Sequence, residues 1–213
     1  NGRKRERRRK ILGWCRTAGT GREPFRWRRP LFGQLAEADH LPQTWRAEDV
    51  FTKGQPQGGE ELANHLEQLV GLHDASNIAA VIVEPVAGSG GVLVPPSAYL
   101  RRLREICTQH DILLIFDEVI TGFGRMGSLT GAEEFGVTPD IMTMAKGVTS
   151  GYQPLSAVAL NDRVAGPIID ADTEMAHGFT YSGHPVSAAV AIRNIELLDE
   201  LELVGARGAQ ISA

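Results

Sequence analysis

Residues 112–125 read I-L-L-I-F-D-E-V-I-T-G-F-G-R, and this stretch decides the fold. Five apolar residues followed at once by Asp117 and Glu118 predict a short strand buried on both faces, as in a parallel sheet covered by helices. Ligands of such sheets bind just beyond the carboxyl ends of the strands. Since Asp117 is the first polar residue at that end, the sequence predicts a carboxylate where an α/β protein holds its ligand.

The rest of the chain alternates predicted strands and helices around this stretch. Apolar runs predict further strands at residues 78–83, 140–145 and 155–160. Periodic patterns predict helices from Glu60 to Gly71, after Ser97 as N-cap, around 133–135, and from Pro185, the last with Ala188, Ile192, Ile195 and Leu198 on its apolar face. Strand, helix and strand in succession indicate an α/β fold with right-handed crossovers.

Charge divides the chain into two unlike parts. Residues 1–29 hold twelve of the 22 Lys and Arg but two of the 26 acids, a net of +10, whereas residues 30–213 carry a net of −14. A basic block without apolar periodicity is typical of a disordered tail or of sequence out of its natural frame, and such blocks also bind nucleic acid. We therefore predict residues 1–29 to be an unassigned basic segment and residues 30–213 to form the folded part.

The spacing of the cysteines and histidines bears on the cellular compartment and argues against a metal-binding site. Cys15 and Cys107 are far apart and fit no zinc or redox motif, which favours a reducing, cytoplasmic setting. The six histidines show no metal-binding spacing, so we expect no metal site. No apolar run approaches the roughly 18 residues of a membrane helix, and we expect no membrane partner.

Two strand ends carry the chemistry. Asp117 and Lys146 lie 29 residues apart, each after an apolar run, so neighbouring strands would bring a carboxylate and an amine into one pocket. A lysine desolvated at such a place can act as a Schiff-base nucleophile. On spacing alone, a solvated surface lysine and a structural aspartate stay open as alternatives.

Four motifs in register resemble the class III aminotransferases of pyridoxal-phosphate fold type I, and most closely the omega-amino-acid (β-alanine):pyruvate enzymes. The motifs are V-E-P-V-A-G-S-G-G-V at 83–92, D-E-V-I-T-G-F-G-R at 117–125, P-D-I-M-T-M-A-K-G at 139–147 and H-G-F-T-Y-S-G-H-P at 177–185. The resemblance covers residues 30–213. It implies part of the large domain of that fold, a three-layer αβα sandwich that binds pyridoxal 5'-phosphate.

The resemblance also implies roles for individual residues. Asp117 would pair with the pyridine nitrogen, Val119 would pack on the ring, and Lys146 would be the Schiff-base and catalytic lysine. Thr180 would reach the cofactor phosphate of the neighbouring subunit of a homodimer, and Glu84 matches a pocket glutamate. The implied reaction moves an amino group from an omega-amino acid or amine to pyruvate.

Departures from the family pattern refine this expectation. Ile120 and Ser89 replace residues typical of other branches, and both fit the pyruvate-using branch better. The family's phosphate loop, ring-stacking aromatic and small domain are not recognisable in the 213 residues. We therefore expect the chain to be a central fragment with little or no activity alone.

Other readings are weaker but distinct. I-L-L-I-F-D-E also fits the Mg²⁺-binding strand of a P-loop ATPase, but the required G-x-x-x-x-G-K-[ST] run does not occur in the sequence. A diamine, polyamine or other class III aminotransferase is the nearest alternative. A non-enzymatic α/β fragment with a basic nucleic-acid-binding arm is the alternative of another class, although we expect no nucleic-acid partner.

Overall fold

A computed structural model describes residues 10–13, 54–88, 91–171 and 177–205. The described residues form two compact units, the first with residues 10–13, 54–83, 87–88 and 91–114 and the second with residues 84–86, 115–171 and 177–205. In chain order the elements are β1 Lys10–Gly13, α1 Glu60–Ala63, α2 His65–His73, β2 Ile78–Val83, α3 Tyr99–Gln109, β3 Leu113–Asp117, α4 Gly131–Phe135, β4 Ile141–Met144, β5 Ala157–Leu160, α5 Asp162–Ile169 and α6 Pro185–Glu200, with 3-10 turns at Ala75–Asn77 and Lys146–Thr149. The α/β class is confirmed. None of the helices in the described ranges has the length and apolar content that a membrane crossing requires.

The first unit confirms two predictions from apolar pattern. Strand β2 has the predicted bounds Ile78–Val83. The predicted apolar face of α3 is buried, and its members are Tyr99, Leu100, Leu103, Ile106 and Cys107. Burial raises the pKa of the Tyr99 phenol, because the charged form would lose its water. These side chains and the buried residues of α1 and α2 form the core of this unit.

Two local predictions in the first unit are wrong, and one strand was not predicted. The helix from Glu60 is divided at Asn64 into α1 and α2 and ends at His73. Ala98, and not Ser97, is the N-cap of α3, and it caps with no side-chain hydrogen bond. Lys10–Gly13 form β1, parallel to β2, although no element was expected there. A four-residue strand held by backbone bonds needs no apolar period, so the pattern did not indicate it. The rest of residues 1–29 lies outside the described residues.

Strand β3 ends on Asp117 itself, one residue later than predicted. Its side chains alternate, with Leu114 and Phe116 fully buried and Ile115 half-buried, so burial on both faces is wrong for this strand. Successive side chains of a strand point to opposite sides, and only one side reaches the core here.

Strands β3, β4 and β5 position the site in the second unit. Strand β4 lies parallel to β3, with Asp117 beside Thr143. Strand β5 is antiparallel to β4, with Met144 beside Ala157. The connection between β4 and β5 contains a 3-10 turn and no helix that would carry the chain back for a parallel pairing.

Helix α6 begins at Pro185 as predicted, but its buried face is different. Ile192 and Ile195 are exposed, whereas Ser187 and Ala191 are buried. Small residues allow the helix to lie close to the 3-10 turn Lys146–Thr149, and larger apolar side chains on this face would hold it away. The predicted apolar face is therefore wrong.

Candidate functional site

Asp117 lies half-buried at the carboxyl end of β3, with one carboxylate oxygen held by the protein. Its Oδ1 accepts hydrogen bonds from the Val119 amide at 3.1 Å and from the Thr143 hydroxyl at 3.4 Å. Among the described residues, no donor lies within hydrogen-bonding distance of Oδ2. The carboxylate is thus oriented through Oδ1, while Oδ2 is open to accept a hydrogen bond from a ligand.

Lys146 follows β4 and opens the 3-10 turn. Because Thr143 pairs with Asp117 in parallel register, the two strands end together, and Lys146 comes three residues after Thr143. The backbone of Lys146 has φ +42°, an uncommon left-handed conformation for a residue other than glycine. Its side chain is exposed, so the desolvation expected from the sequence is not present.

Gly147 lets this turn approach the loop that follows Asp117. A Cβ atom at Gly147 would lie 2.9 Å from the Phe123 Cβ and 3.1 Å from the Gly122 carbonyl oxygen, closer than side-chain atoms normally come. The lysine turn is therefore packed against the Gly122–Phe123 segment, and the absent side chain of Gly147 makes this contact possible.

Asn194 holds the same turn from helix α6. Its amide nitrogen donates to the carbonyl oxygens of Gly147 at 2.9 Å and Val148 at 3.1 Å. Its amide oxygen accepts from the Ser150 hydroxyl at 2.7 Å. One side chain of α6 therefore makes three hydrogen bonds to the segment that begins with Lys146.

The other predicted site residues lie in the same unit. Val119 is half-buried two residues after Asp117, and Glu84 is half-buried in the short 84–86 segment. Thr180 is exposed in a loop before α6, where Phe179 and Tyr181 are also exposed. The structure thus places Asp117 and Val119 at the end of β3 and the lysine turn just after the paired strand β4, while Thr180 is exposed. Ser89 lies outside the described residues.

Glu118, next to Asp117, is fully buried and has a structural environment. Its Oε2 accepts from the Gly131 amide at 2.9 Å and from the Thr121 hydroxyl, and its Oε1 accepts from the Ala132 amide at 2.7 Å. These amides belong to the first turn of α4, where backbone N–H groups have no partner within the helix. Glu118 therefore joins the end of β3 to the start of α4.

A cavity of about 560 Å³ lies at the other end of β4. It is lined by the start of β4, the end of β5 and α4, and neither Asp117 nor Lys146 contributes to it. The carboxylate of Asp117 and the lysine turn lie instead at the carboxyl ends of β3 and β4, where ligands of such sheets bind.

The residues present fit pyridoxal phosphate. Asp117 offers a carboxylate oxygen that accepts from no donor among the described residues. The neighbouring strand β4 leads to Lys146, whose amine is exposed. That pair can hold a proton on a ring nitrogen and bind an aldehyde covalently.

Three contributors were not identified from the sequence, namely Thr143, Glu118 and Asn194. Strand alternation after Asp117 could have indicated that Glu118 points to the opposite side. Asn194 continues the line of Ser187 and Ala191 at helical spacing, so a polar residue on a packed helix face was the available signal.

Residues 28–210 match the model of the family Aminotransferase class-III. The chain is 51% identical to a beta-alanine–pyruvate aminotransferase of Pseudomonas aeruginosa, over 92% of this chain and 46% of that protein. It is 52% identical to an omega-amino acid–pyruvate aminotransferase of Pseudomonas putida, over 88% of this chain and 43% of that protein.

A solved structure is similar as well. An amine transaminase from an uncultivated Pseudomonas species, in its PLP-bound form, has a TM-score of 0.72 and 42% identity, over 83% of this chain and 41% of that one. The expectation of a pyridoxal-phosphate fold type I domain is confirmed. The chain spans less than half the length of the curated relatives named above.

Proposed function

Because the chain belongs to the class III aminotransferases, we propose that it supplies the cofactor-binding centre of an enzyme that moves an amino group from an omega-amino acid to pyruvate. One observation carries the proposal: Asp117 and the lysine turn lie at the same ends of two paired parallel strands, and Asp117 keeps one oxygen without a donor among the described residues. The names of the relatives support β-alanine or a similar donor and pyruvate as acceptor.

Asp117 would hold the proton of the pyridine nitrogen. A carboxylate at hydrogen-bonding distance favours the protonated ring nitrogen, and its own orientation is maintained by Thr143 and the Val119 amide. When bound, pyridoxal phosphate supplies a ring that accepts the electrons of the substrate carbanion. Val119, half-buried beside Asp117, would contact the face of that ring.

Lys146 would bind the cofactor covalently through its amine. Once the substrate amine has replaced it, the same amine would carry a proton between the substrate Cα and the cofactor. The exposed side chain is reachable for both tasks, and the turn behind it is held by Asn194.

A homodimer is part of the proposal, with Thr180 reaching the cofactor phosphate of the neighbouring subunit. Phe179 and Tyr181 flank Thr180 and are 73% and 82% exposed, and aromatic side chains of this kind are enriched at protein interfaces. A cytoplasmic location stays an expectation from the spacing of the two cysteines.

The proposal is tested by reducing a mixture of the chain and pyridoxal phosphate with borohydride and mapping the modified peptide. We expect the reduced cofactor to be attached to Lys146, and we expect the mixture to absorb at about 400 nm before reduction. Lys146→Arg is the matched control, since it keeps the positive charge but cannot form the bond. Equal labelling of Lys53 in the parent chain, or unchanged labelling and absorbance in Lys146→Arg, would contradict the proposal.

A further inference from the structure

We propose that Asn194 is a positioning residue for Lys146, and that it acts by holding the backbone of the lysine turn from helix α6. This inference deepens the proposed function and depends on it. Asn194 lies 48 residues after Lys146 in the sequence, in an element that carries none of the residues assigned to the cofactor.

The lysine turn needs an external support. It is a 3-10 turn of four residues, and both Lys146 at its start and Ser150 after its end have positive φ values, +42° and +49°. Non-glycine residues are uncommon in this region and persist when their surroundings hold them. The backbone bonds of the turn, Val148 N–H to the Ala145 oxygen and Ser150 N–H to the Gly147 oxygen, are local ones.

Asn194 supplies that support with three hydrogen bonds from its amide group. Its nitrogen donates to the oxygen of Gly147, which also accepts from the Ser150 amide, and to the oxygen of Val148. Its oxygen accepts from Ser150, the second residue with positive φ. The three bonds therefore cover Gly147, Val148 and Ser150.

The position of Asn194 is itself well determined. Ala191 and Ser187, one and two turns earlier on the same face of α6, are buried at 6% and 4% exposure. On its other side the turn contacts Phe123 through Gly147. The backbone of Lys146 is thus held between α6 and the loop that follows Asp117, so a loss at Asn194 would let the lysine drift from the carboxylate.

Two measurements on the 213-residue chain test this role. The first needs no cofactor: hydrogen exchange at the Val148 and Ser150 amides should become about tenfold faster in Asn194→Ala, since two hydrogen bonds to the turn are lost. The second is the rate of pyridoxal phosphate attachment at Lys146, read by borohydride trapping, which should fall about tenfold, with labelling of Lys53 unchanged as internal control.

Glu196→Ala is the matched control, because Glu196 lies on the same helix, is exposed, and contacts Arg193 and not the turn. It should leave both quantities within about twofold of the parent chain. Ser150→Ala keeps the two donor bonds of Asn194 and should have a smaller effect than Asn194→Ala. If Asn194→Ala does not fold, Asn194→Asp decides, since it retains the size of the side chain but replaces the donors with an acceptor.

The two proposals fail in different ways. A folded Asn194 variant with unchanged amide exchange and unchanged attachment at Lys146 would overturn the positioning role while leaving the proposed function intact. Absence of selective attachment at Lys146 in the parent chain would overturn the proposed function, and the positioning role with it.

Discussion

Asp117 and Glu118 are neighbours of the same chemical class in opposite environments. Asp117 is half-buried and accepts two hydrogen bonds through one oxygen. Glu118 has no exposed surface and accepts three hydrogen bonds through both oxygens. Since successive side chains at a strand end point to opposite sides, the Asp117 carboxylate is partly exposed and the Glu118 carboxylate is directed to the protein interior.

The difference in burial gives the two carboxylates different hydrogen-bonding requirements. A buried carboxylate without partners would cost several kcal/mol, and Glu118 avoids that cost through two backbone amides and a hydroxyl. Asp117 leaves one oxygen without a donor among the described residues, which is tolerable because it is partly exposed. Matched removal of each negative charge should therefore give opposite results.

Asp117→Asn should have the largest effect, and it should be on catalysis. The pyridine nitrogen would lose the charge that holds its proton, so abstraction of the substrate Cα proton should slow by about a thousandfold or more, about 4 kcal/mol in the barrier. The measurement is Cα hydrogen exchange of an amino donor in D2O. Where the chain alone does not turn over, residues 30–213 can replace the matched segment of the Pseudomonas aeruginosa relative.

The stability of Asp117→Asn supplies the other half of this test. Its free energy of unfolding should change by less than about 1 kcal/mol, because the side chain is half-buried and its Oδ1 bonds are retained. A proton-exchange rate within about tenfold of the parent would remove Asp117 from its assigned role.

Glu118→Gln should have the next largest effect, and it should be on folding. The amide nitrogen would face N–H donors at the start of α4, and the charge-assisted bonds would be lost, so the free energy of unfolding should fall by about 3 kcal/mol. Urea denaturation measures this change. Proton exchange in the folded fraction should stay much closer to the parent rate than in Asp117→Asn. An unchanged urea midpoint would show that Glu118 does not hold α4.

Thr143→Val should have the smallest effect and should sharpen the comparison. It removes the 3.4 Å hydrogen bond to Asp117 while keeping shape and β-branching, and Glu118 is not its side-chain partner. We expect proton exchange to slow by about threefold to tenfold, since one weak bond contributes about 0.5–1.5 kcal/mol. Thermal unfolding should shift little. A loss as large as that of Asp117→Asn would mean that Thr143 does more than orient the carboxylate.

Apolar pattern predicted most elements near the site. Strand β2, the buried face of α3, α4, β4 and the start of α6 follow from runs and periods that burial requires. It was also predictable that β3, which carries Asp117, and β4, which leads to Lys146, end side by side, because parallel strands end at one edge of the sheet. The break at Asn64 and the N-cap at Ala98 were not predictable, since a helix can begin equally well at several neighbouring residues.

The buried face of α6 shows why pattern failed elsewhere. Ile192 and Ile195 satisfied the apolar period but are exposed, whereas Ser187 and Ala191 are buried and Asn194 donates hydrogen bonds to the lysine turn. Hydrophobicity does not report how closely two backbones must approach. In the same way, the exposure of Lys146 could not be read from its small neighbours Ala145 and Gly147.

The sequence by itself determined the kind of fold and the family, and it indicated Asp117 and Lys146 as candidate groups, because buried strands need apolar runs and this chemistry needs an acid and an amine at their ends. The roles of Asp117, Val119, Lys146 and Thr180 remain proposals. Only the tertiary structure decided that Glu118 serves the interior and that Asn194, 48 residues from Lys146, supports its turn. Hydrogen bonds between residues far apart in sequence depend on how their helices and strands are oriented. That orientation is set by the packing of whole elements rather than by local pattern.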